Sequence, residues 1–371
     1  MRSIGRFLPV AALFGSAALL LVDLAVSPLF SYRLPQPDFY VYYLAARIGR
    51  AHGWGLMYDP SVFRPAITAA VGRYLPYLNP PLLAWVVTPL SWLPYRLAAW
   101  LWTGVLGAAL VATWMIAAPG RPPHRLIYLV AAAAALPVFT SFLFGEVSLV
   151  IVAAVAAAWW LVDRGRPWTA GLVLAVVSLK PQIAFLVPLA LLAAGHWRVF
   201  LSWLGATGVI AGVSLLAVGT QAIHDVRHSL SLAAGTPGPI QVSLLHQLPW
   251  PVVSTAAMVA VAGLFLIVAS SAAGGRPALP MASGLLASAL LSPYLNFYDL
   301  AGLVLAGWLV LQTNPPGWQR FMLVALYAPL YLAPVWPLAT VVGECGWLAS
   351  LVILSRLQRD QTLPGRHKVA A

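Results

Sequence analysis

Charge is what this sequence has least of. Charged residues fill 8% of its 371 positions, and only nine residues are acidic. A soluble domain is about a quarter charged and about half apolar. A chain that is 61% hydrophobic, with a mean hydropathy of +0.86, has more apolar surface than a soluble fold can hide. The single cysteine, Cys345, excludes an intrachain disulfide framework and a cysteine-based metal cluster. Period-two alternation of apolar and polar residues is missing as well, which excludes a transmembrane barrel and leaves the backbone to satisfy its hydrogen bonds within helices. The net charge of +12 comes without an aromatic-interleaved basic stripe. It therefore points to cytoplasmic loops and anionic lipid headgroups, and not to nucleic acid.

What is present is a succession of apolar runs, many of the roughly 17 to 25 residues that a helix needs to cross the hydrocarbon core. The expected fold is all-α, a polytopic transmembrane bundle of roughly 10 to 13 membrane segments, with one integral domain over residues 1–355 and a basic cytoplasmic tail over 356–371. The start resembles a signal peptide, but Pro28 disfavours cleavage, so about Phe7 to Ser27 reads as a retained first span. Residues from about 28 to 79 then form an outer segment whose two helix-start patterns suggest short amphipathic helices on the outer leaflet.

Further spans are expected near Leu82–Leu93, Ala98–Ala118, Leu126–Leu143, Val147–Val162, Thr169–Leu179, Ile183–Ala194, Phe200–Val218, Val252–Ser270, Ala278–Leu291, Leu300–Leu311, Phe321–Leu338 and Gly346–Leu354. Those at Leu82–Leu93 and on either side of Lys180–Pro181 are short enough to be half-helices. Arginines at 164, 166, 198, 276 and 320 place their connectors in the cytoplasm, and a second outer segment falls at about 219–251. Arg121 and Arg125 agree with this if Leu82–Leu93 dips in and returns.

Ionisable groups at membrane depth cost about 2.5 to 3.5 kcal/mol each on insertion scales, so the acids are the candidates for chemistry. Asp163 and Asp360 sit beside arginines, Asp23 in the first span, Asp225 in the second outer segment and Glu344 in a short late turn. Asp38, Asp59, Glu146 and Asp299 all fall on the outer side. One carboxylate there can act as general base on a sugar hydroxyl, a contribution of roughly 10² to 10⁴ in rate. Lys180, where a helix breaks at Pro181, can neutralise a phosphate. Each also has a structural reading. Asp38 and Asp59 sit where helix caps sit, Asp59 most clearly. Lys180 can snorkel, and Glu146 and Asp299 can be buried hydrogen-bonding groups. His224, Asp225 and His228 have a metal-like spacing but read better as a solvated face, and Arg227 and His246 lie where a headgroup or acceptor can touch them.

Five segments in order carry a family resemblance: "PDFYVYYLAARIGRAHGWGLMYDP", "YLNPPLLAWVVTPLSWLP", "FGEVSLVIV", "DRGRPWTAGLVLAVVSLKPQIAFLVPLALLAAGHWR" and "LLSPYLNFYDL". Together they resemble the polyprenol-phosphate-sugar-dependent glycosyltransferases of family 87, in the GT-C superfamily. The resemblance implies an inverting transfer of a hexose such as mannose, from a polyprenyl-phosphate donor to a glycolipid or glycan acceptor. It implies a bacterial inner-membrane protein with its site facing outside, no cofactor and no nucleotide loop. It maps the general base onto Asp38, donor-phosphate contact onto Lys180, and sugar or acceptor contacts onto Glu146, Asp299, Tyr298, Asn296 and Tyr42. Many relatives carry Gln in place of Glu146, and some carry His in the "SPYLNFYDL" motif, where this chain has Asn296, Tyr298 and Asp299. The rival readings are a transporter or lipid flippase, which should show two related halves, and a non-catalytic membrane partner of another enzyme.

Overall fold

The computed structural model describes residues 15–25, 34–121, 125–235, 241–271 and 276–362. Its helices are α1 Gly15–Ala25, α2 Pro37–His52, α3 Pro60–Val71, α4 Pro81–Val87, α5 Tyr95–Ala117 and α6 Arg125–Ala134. Next come α7 Leu136–Phe144, α8 Ser148–Asp163, α9 Pro167–Leu174, α10 Val187–Ala193, α11 Trp197–Gly235 and α12 Leu244–Gln247. The last are α13 Pro251–Ser271, α14 Ala278–Leu291, α15 Gly302–Gln312, α16 Gly317–Ala325, α17 Tyr327–Leu332 and α18 Pro337–Thr362. Among the described residues the only β pairing is an isolated antiparallel bridge between Gln241 and Asn296. The fold is the all-α polytopic bundle that the composition demands.

Among the described residues four helices, α5, α11, α13 and α18, are long and apolar enough to cross a membrane, and α6 with α7 makes a fifth if their 60° bend lies within one span. The remaining apolar helices are shorter, at 10–17 residues. The 16 residues of α8 rise about 24 Å, short of a hydrocarbon core of about 30 Å. Breaks at Pro and Gly therefore account for many of the expected segments. Residues 81–92, at twelve residues, are too short to cross alone, which suits a segment that dips and returns.

The bundle is organised around α14, which is buried along all but its last residue and packs against α10, α13, α15 and α18. Near the other end of the chain, α8 packs between α5 and α9. The helix α2 differs from its expected place on the leaflet surface. Ten of its sixteen residues are buried, Phe39, Ala45 and Ala46 completely, because its aromatic face packs into the protein. In contrast, α3 buries only the stripe Phe63, Ile67 and Val71, the amphipathic pattern expected.

Two other expectations change. The turn expected around Glu344 is absent: α18 runs unbroken from Pro337, a first-turn proline of the kind that starts helices, and its Gly343 and Gly346 allow close packing against Leu326, Pro329 and Met322. Glu344 is therefore a mid-helix residue, 2% exposed. The tail boundary at 356 falls inside this same helix, and residues 363–371 lie outside the described chain, as do most of the first span's flanks. Within α11 the chain kinks at Gly219, whose φ of 74° and ψ of 174° suit glycine.

Candidate active site

The site begins at the N-terminus of α2. Gln36, with φ 53°, adopts a left-handed conformation unusual for a residue with a Cβ. It is held there by its own side chain, whose Nε2 donates to Thr103 Oγ1 at 2.7 Å and to the Phe142 carbonyl at 3.3 Å. The Tyr95 hydroxyl donates to the Gln36 carbonyl at 3.0 Å. Phe39 stacks on Trp102 at 5.2 Å, and the Trp102 indole donates to the Gly145 carbonyl at 2.8 Å. These contacts tie the first turn of α2 to α5 and to the α7–α8 turn. Asp38 lies in that first turn, after Pro37, and Gln36 occupies the cap position. Asp38 therefore is not the cap of α2. Asp59 is a cap: its Oδ1 accepts from Ser61 N–H at 2.8 Å at the start of α3.

Glu146 sits in the turn between α7 and α8. Gly145 makes that turn with φ 72°, and a Cβ on it would lie 2.6 Å from Phe39 Cβ, so both its conformation and its packing require glycine. The break expected at Lys180 is present. Pro181 has no N–H to donate and disfavours helix in the residue before it, and Lys180 is extended (φ −153°, ψ 83°) between two short 3₁₀ turns. Asp299 lies in a 3₁₀ turn, Phe297–Ala301, that leads into α15.

These three residues, 34 and 119 positions apart in sequence, meet in one buried knot. Lys180 Nζ donates to Glu146 Oε1 at 2.5 Å and to Asp299 Oδ1 at 2.7 Å, and lies 5.6 Å from the centre of the Tyr298 ring. The Tyr42 hydroxyl donates to Glu146 Oε2. Ser148 Oγ donates to Asp299 Oδ1 at 3.2 Å, and the Asn296 N–H to Asp299 Oδ2 at 3.1 Å. Glu146, Asp299 and Lys180 are 1%, 2% and 5% exposed.

Asp38 stands at the edge of this knot and keeps some access to solvent, although its carboxyl lies deep in the recess. It is close enough to feel the charges of Glu146, Lys180 and Asp299. Burial, helped by the negative charge of Glu146, pushes its pKa up to about 8, against the pull of Lys180 and Tyr298. All seven expected site residues, Asp38, Tyr42, Glu146, Lys180, Asn296, Tyr298 and Asp299, are thus brought together.

The other candidates fall elsewhere. His224 and His228 are exposed on the far half of α11, and Asp225 accepts from Gln221. Asp23 is buried and accepts from the Tyr331 hydroxyl. Sequence reasoning missed Gln36, Ser148 and Gln241. Ser148 was within view, two residues after Glu146 in the same motif. Gln36 and Gln241 carry no local signal, because the partners of their side chains lie 54 or more residues away.

No solved structure matches the chain. It is 32% identical, over 183 residues, to a polyprenol-phosphate-mannose-dependent alpha-(1-2)-phosphatidylinositol pentamannoside mannosyltransferase of Mycobacterium tuberculosis; the match covers 46% of this chain and 40% of that protein. A protein of the same description from Mycolicibacterium smegmatis is 30% identical over 156 residues, covering 40% of this chain and 37% of its own length. The chain thus spans well under half the length of these curated relatives. The pattern that defines glycosyltransferase family 87 matches residues 77–293, more than half of the chain and including Glu146 and Lys180, and on that ground this integral membrane protein belongs to glycosyltransferase family 87.

Proposed function

We propose that the chain transfers a hexose, mannose by analogy with the proteins it is similar to, from a polyprenyl-phosphate donor to a glycolipid or glycan acceptor outside the cytoplasm. Asp38 serves as general base. It takes the proton of the acceptor hydroxyl while that oxygen forms a bond to C1 of the sugar. The bond from C1 to the phosphate oxygen breaks, the lipid phosphate leaves with the electron pair, and the configuration at C1 inverts.

The observation that carries this reading is the division of labour among three carboxylates. Glu146 and Asp299 are buried and bound to Lys180, whereas Asp38 is partly accessible and has no ion-pair partner within contact distance among the described residues. A base must be free to take a proton, and of the three carboxylates Asp38 is the one not held in an ion pair with Lys180. Lys180 fits this scheme as the ion that holds Glu146 and Asp299 in place. Its contact with a donor phosphate would require one of those carboxylates to release it.

The test is transfer of labelled mannose from polyprenyl-phosphate mannose in membranes carrying the wild-type chain or Asp38→Asn at matched expression. Transfer by the wild type that falls at least a hundredfold in the variant supports the reading. Equal transfer by both removes Asp38 from the mechanism. No wild-type transfer with any of several sugars and acceptor extracts removes the transferase reading.

A further inference from the structure

Beyond its first turn α2 is almost wholly enclosed: from Val41 to Arg50 only Arg47 and Arg50 are exposed. Three positions apart, they share one face of the helix. Each guanidinium lies over an aromatic ring, Arg47 at 5.8 Å from the centre of Tyr43 and Arg50 at 5.8 Å from that of Trp92. The Tyr43 hydroxyl donates to the Leu93 carbonyl at 2.7 Å. That bond seats this face of α2 against the corner where the 3₁₀ turn Thr88–Trp92 meets α5. Arg96 is exposed in the first turn of α5, beside the same corner.

The three arginines have no structural task that the fold explains. The ion pairs among the described residues are those of Lys180, and none engages Arg47, Arg50 or Arg96. A cation in the first turn of a helix opposes the helix dipole, so Arg96 does not serve α5. Their setting points to a ligand. The helix α5 is long enough to span a membrane, and Trp92 and Trp100, at its start, are 66% and 75% exposed. Exposed tryptophans at the end of a span mark the level of the lipid headgroups. The anion at that level is phosphate, and a guanidinium whose flat face is stacked on a ring keeps its fork of donors for it.

We infer that Arg47, Arg50 and Arg96 bind the phosphate of a glycolipid acceptor while its sugar hydroxyl lies at Asp38. The inference rests on the transferase reading with Asp38 as base. At 1.5 Å per residue, Arg47 and Arg50 sit about 14 and 18 Å along α2 from Asp38. The phosphate that leaves C1 must stay within bonding reach of the hydroxyl that Asp38 deprotonates, so it is not the one held at this distance. A phosphate at the far end of an acceptor's sugar headgroup is. The helix thus sets the span between the reacting hydroxyl and the lipid to which the headgroup is attached.

The test compares two acceptors with full-length protein in a neutral detergent: a mannosylated phosphatidylinositol, and an alkyl mannoside with the same sugars and no phosphate. Arg47→Gln with Arg50→Gln is expected to raise KM for the phosphate-bearing acceptor about tenfold and to shrink the enzyme's preference for it over the alkyl mannoside by the same factor. Adding Arg96→Gln should shrink that preference further, Arg47→Lys with Arg50→Lys should keep most of it, and added salt should erode it in the wild type.

An unchanged preference in the glutamine variant overturns the inference. So does an equal loss with both acceptors, which would make the arginines a contact to bulk anionic lipid or a support of the fold. If the wild type transfers to neither acceptor, the transferase reading is what fails. Retention of the two lipids by immobilised protein then decides the arginines: a preference for the phosphate-bearing one that disappears in the glutamine variant supports the phosphate site, and equal retention by both proteins overturns it.

Discussion

Asp38 and Lys180 lie within reach of each other's charge, yet their surroundings differ. Lys180 is enclosed, and its ammonium is shared between two carboxylates that are themselves bound by Tyr42, Ser148 and the Asn296 backbone. Asp38 has no comparable counter-ion, and the residue is only half-buried. A buried charge is tolerated when its partners satisfy it, and an enclosed group of that kind holds structure. A charge left incompletely satisfied beside an opening is held at some cost, and groups of that kind cluster at functional sites. On the proposed reading, one end of the site holds structure and the other carries the reaction.

The comparison breaks most plainly at Lys180. Lys180→Met leaves two buried carboxylates facing each other, a loss expected at about 3–5 kcal/mol. A melting curve in detergent should show it as a large fall in Tm, partly restored by adding Glu146→Gln. An unchanged Tm would mean that the knot does not hold the fold.

Asp38→Asn should behave in the opposite way. Transfer falls roughly 10² to 10⁴-fold, while the Tm stays level or rises. The sign follows from linkage. With a pKa of about 8 when folded against the ordinary 3.8, Asp38 holds its proton more tightly in the folded state. Its ionisation therefore disfavours the fold increasingly as pH rises through that window, and Asn removes the penalty. For the same reason wild-type kcat/KM should climb with pH and level off above about 8, since the free enzyme's base must first lose its proton. A flat profile from about pH 6 upward would show that Asp38 is ionised throughout, and would remove its distinction from the carboxylates of the knot.

The sequence exposes the helices and the candidate acids, since apolar runs and rare charges are local properties. It shows the break at Lys180–Pro181 for the same reason. It does not show that Glu146, Lys180 and Asp299 form one ion-paired knot, because no periodicity links residues 34 and 119 positions apart. The surface placement of α2 failed because amphipathic spacing cannot tell a leaflet from a protein interior. The turn at Glu344 failed because Gly343 and Gly346, which look like breakers, serve instead as close-packing positions within α18. Asp59 was legible as a cap because Asp before Pro at a helix start is a local signature.

Two smaller effects sharpen the contrast. Tyr42→Phe removes one donor to Glu146 but leaves the bond from Lys180, so about 1 kcal/mol of stability should go, with less than about a tenfold loss of transfer. Asp59→Ala removes a cap on a helix outside the site. The Ser61 N–H loses its acceptor and α3 should weaken by about 1 kcal/mol, while kcat, KM and the pH profile stay at wild-type values. The Tm should register that change and the transfer assay should not. If transfer fell with Asp59→Ala, α3 would have to be part of the site, and the boundary drawn between the reacting edge and the supporting structure would move outward to include it.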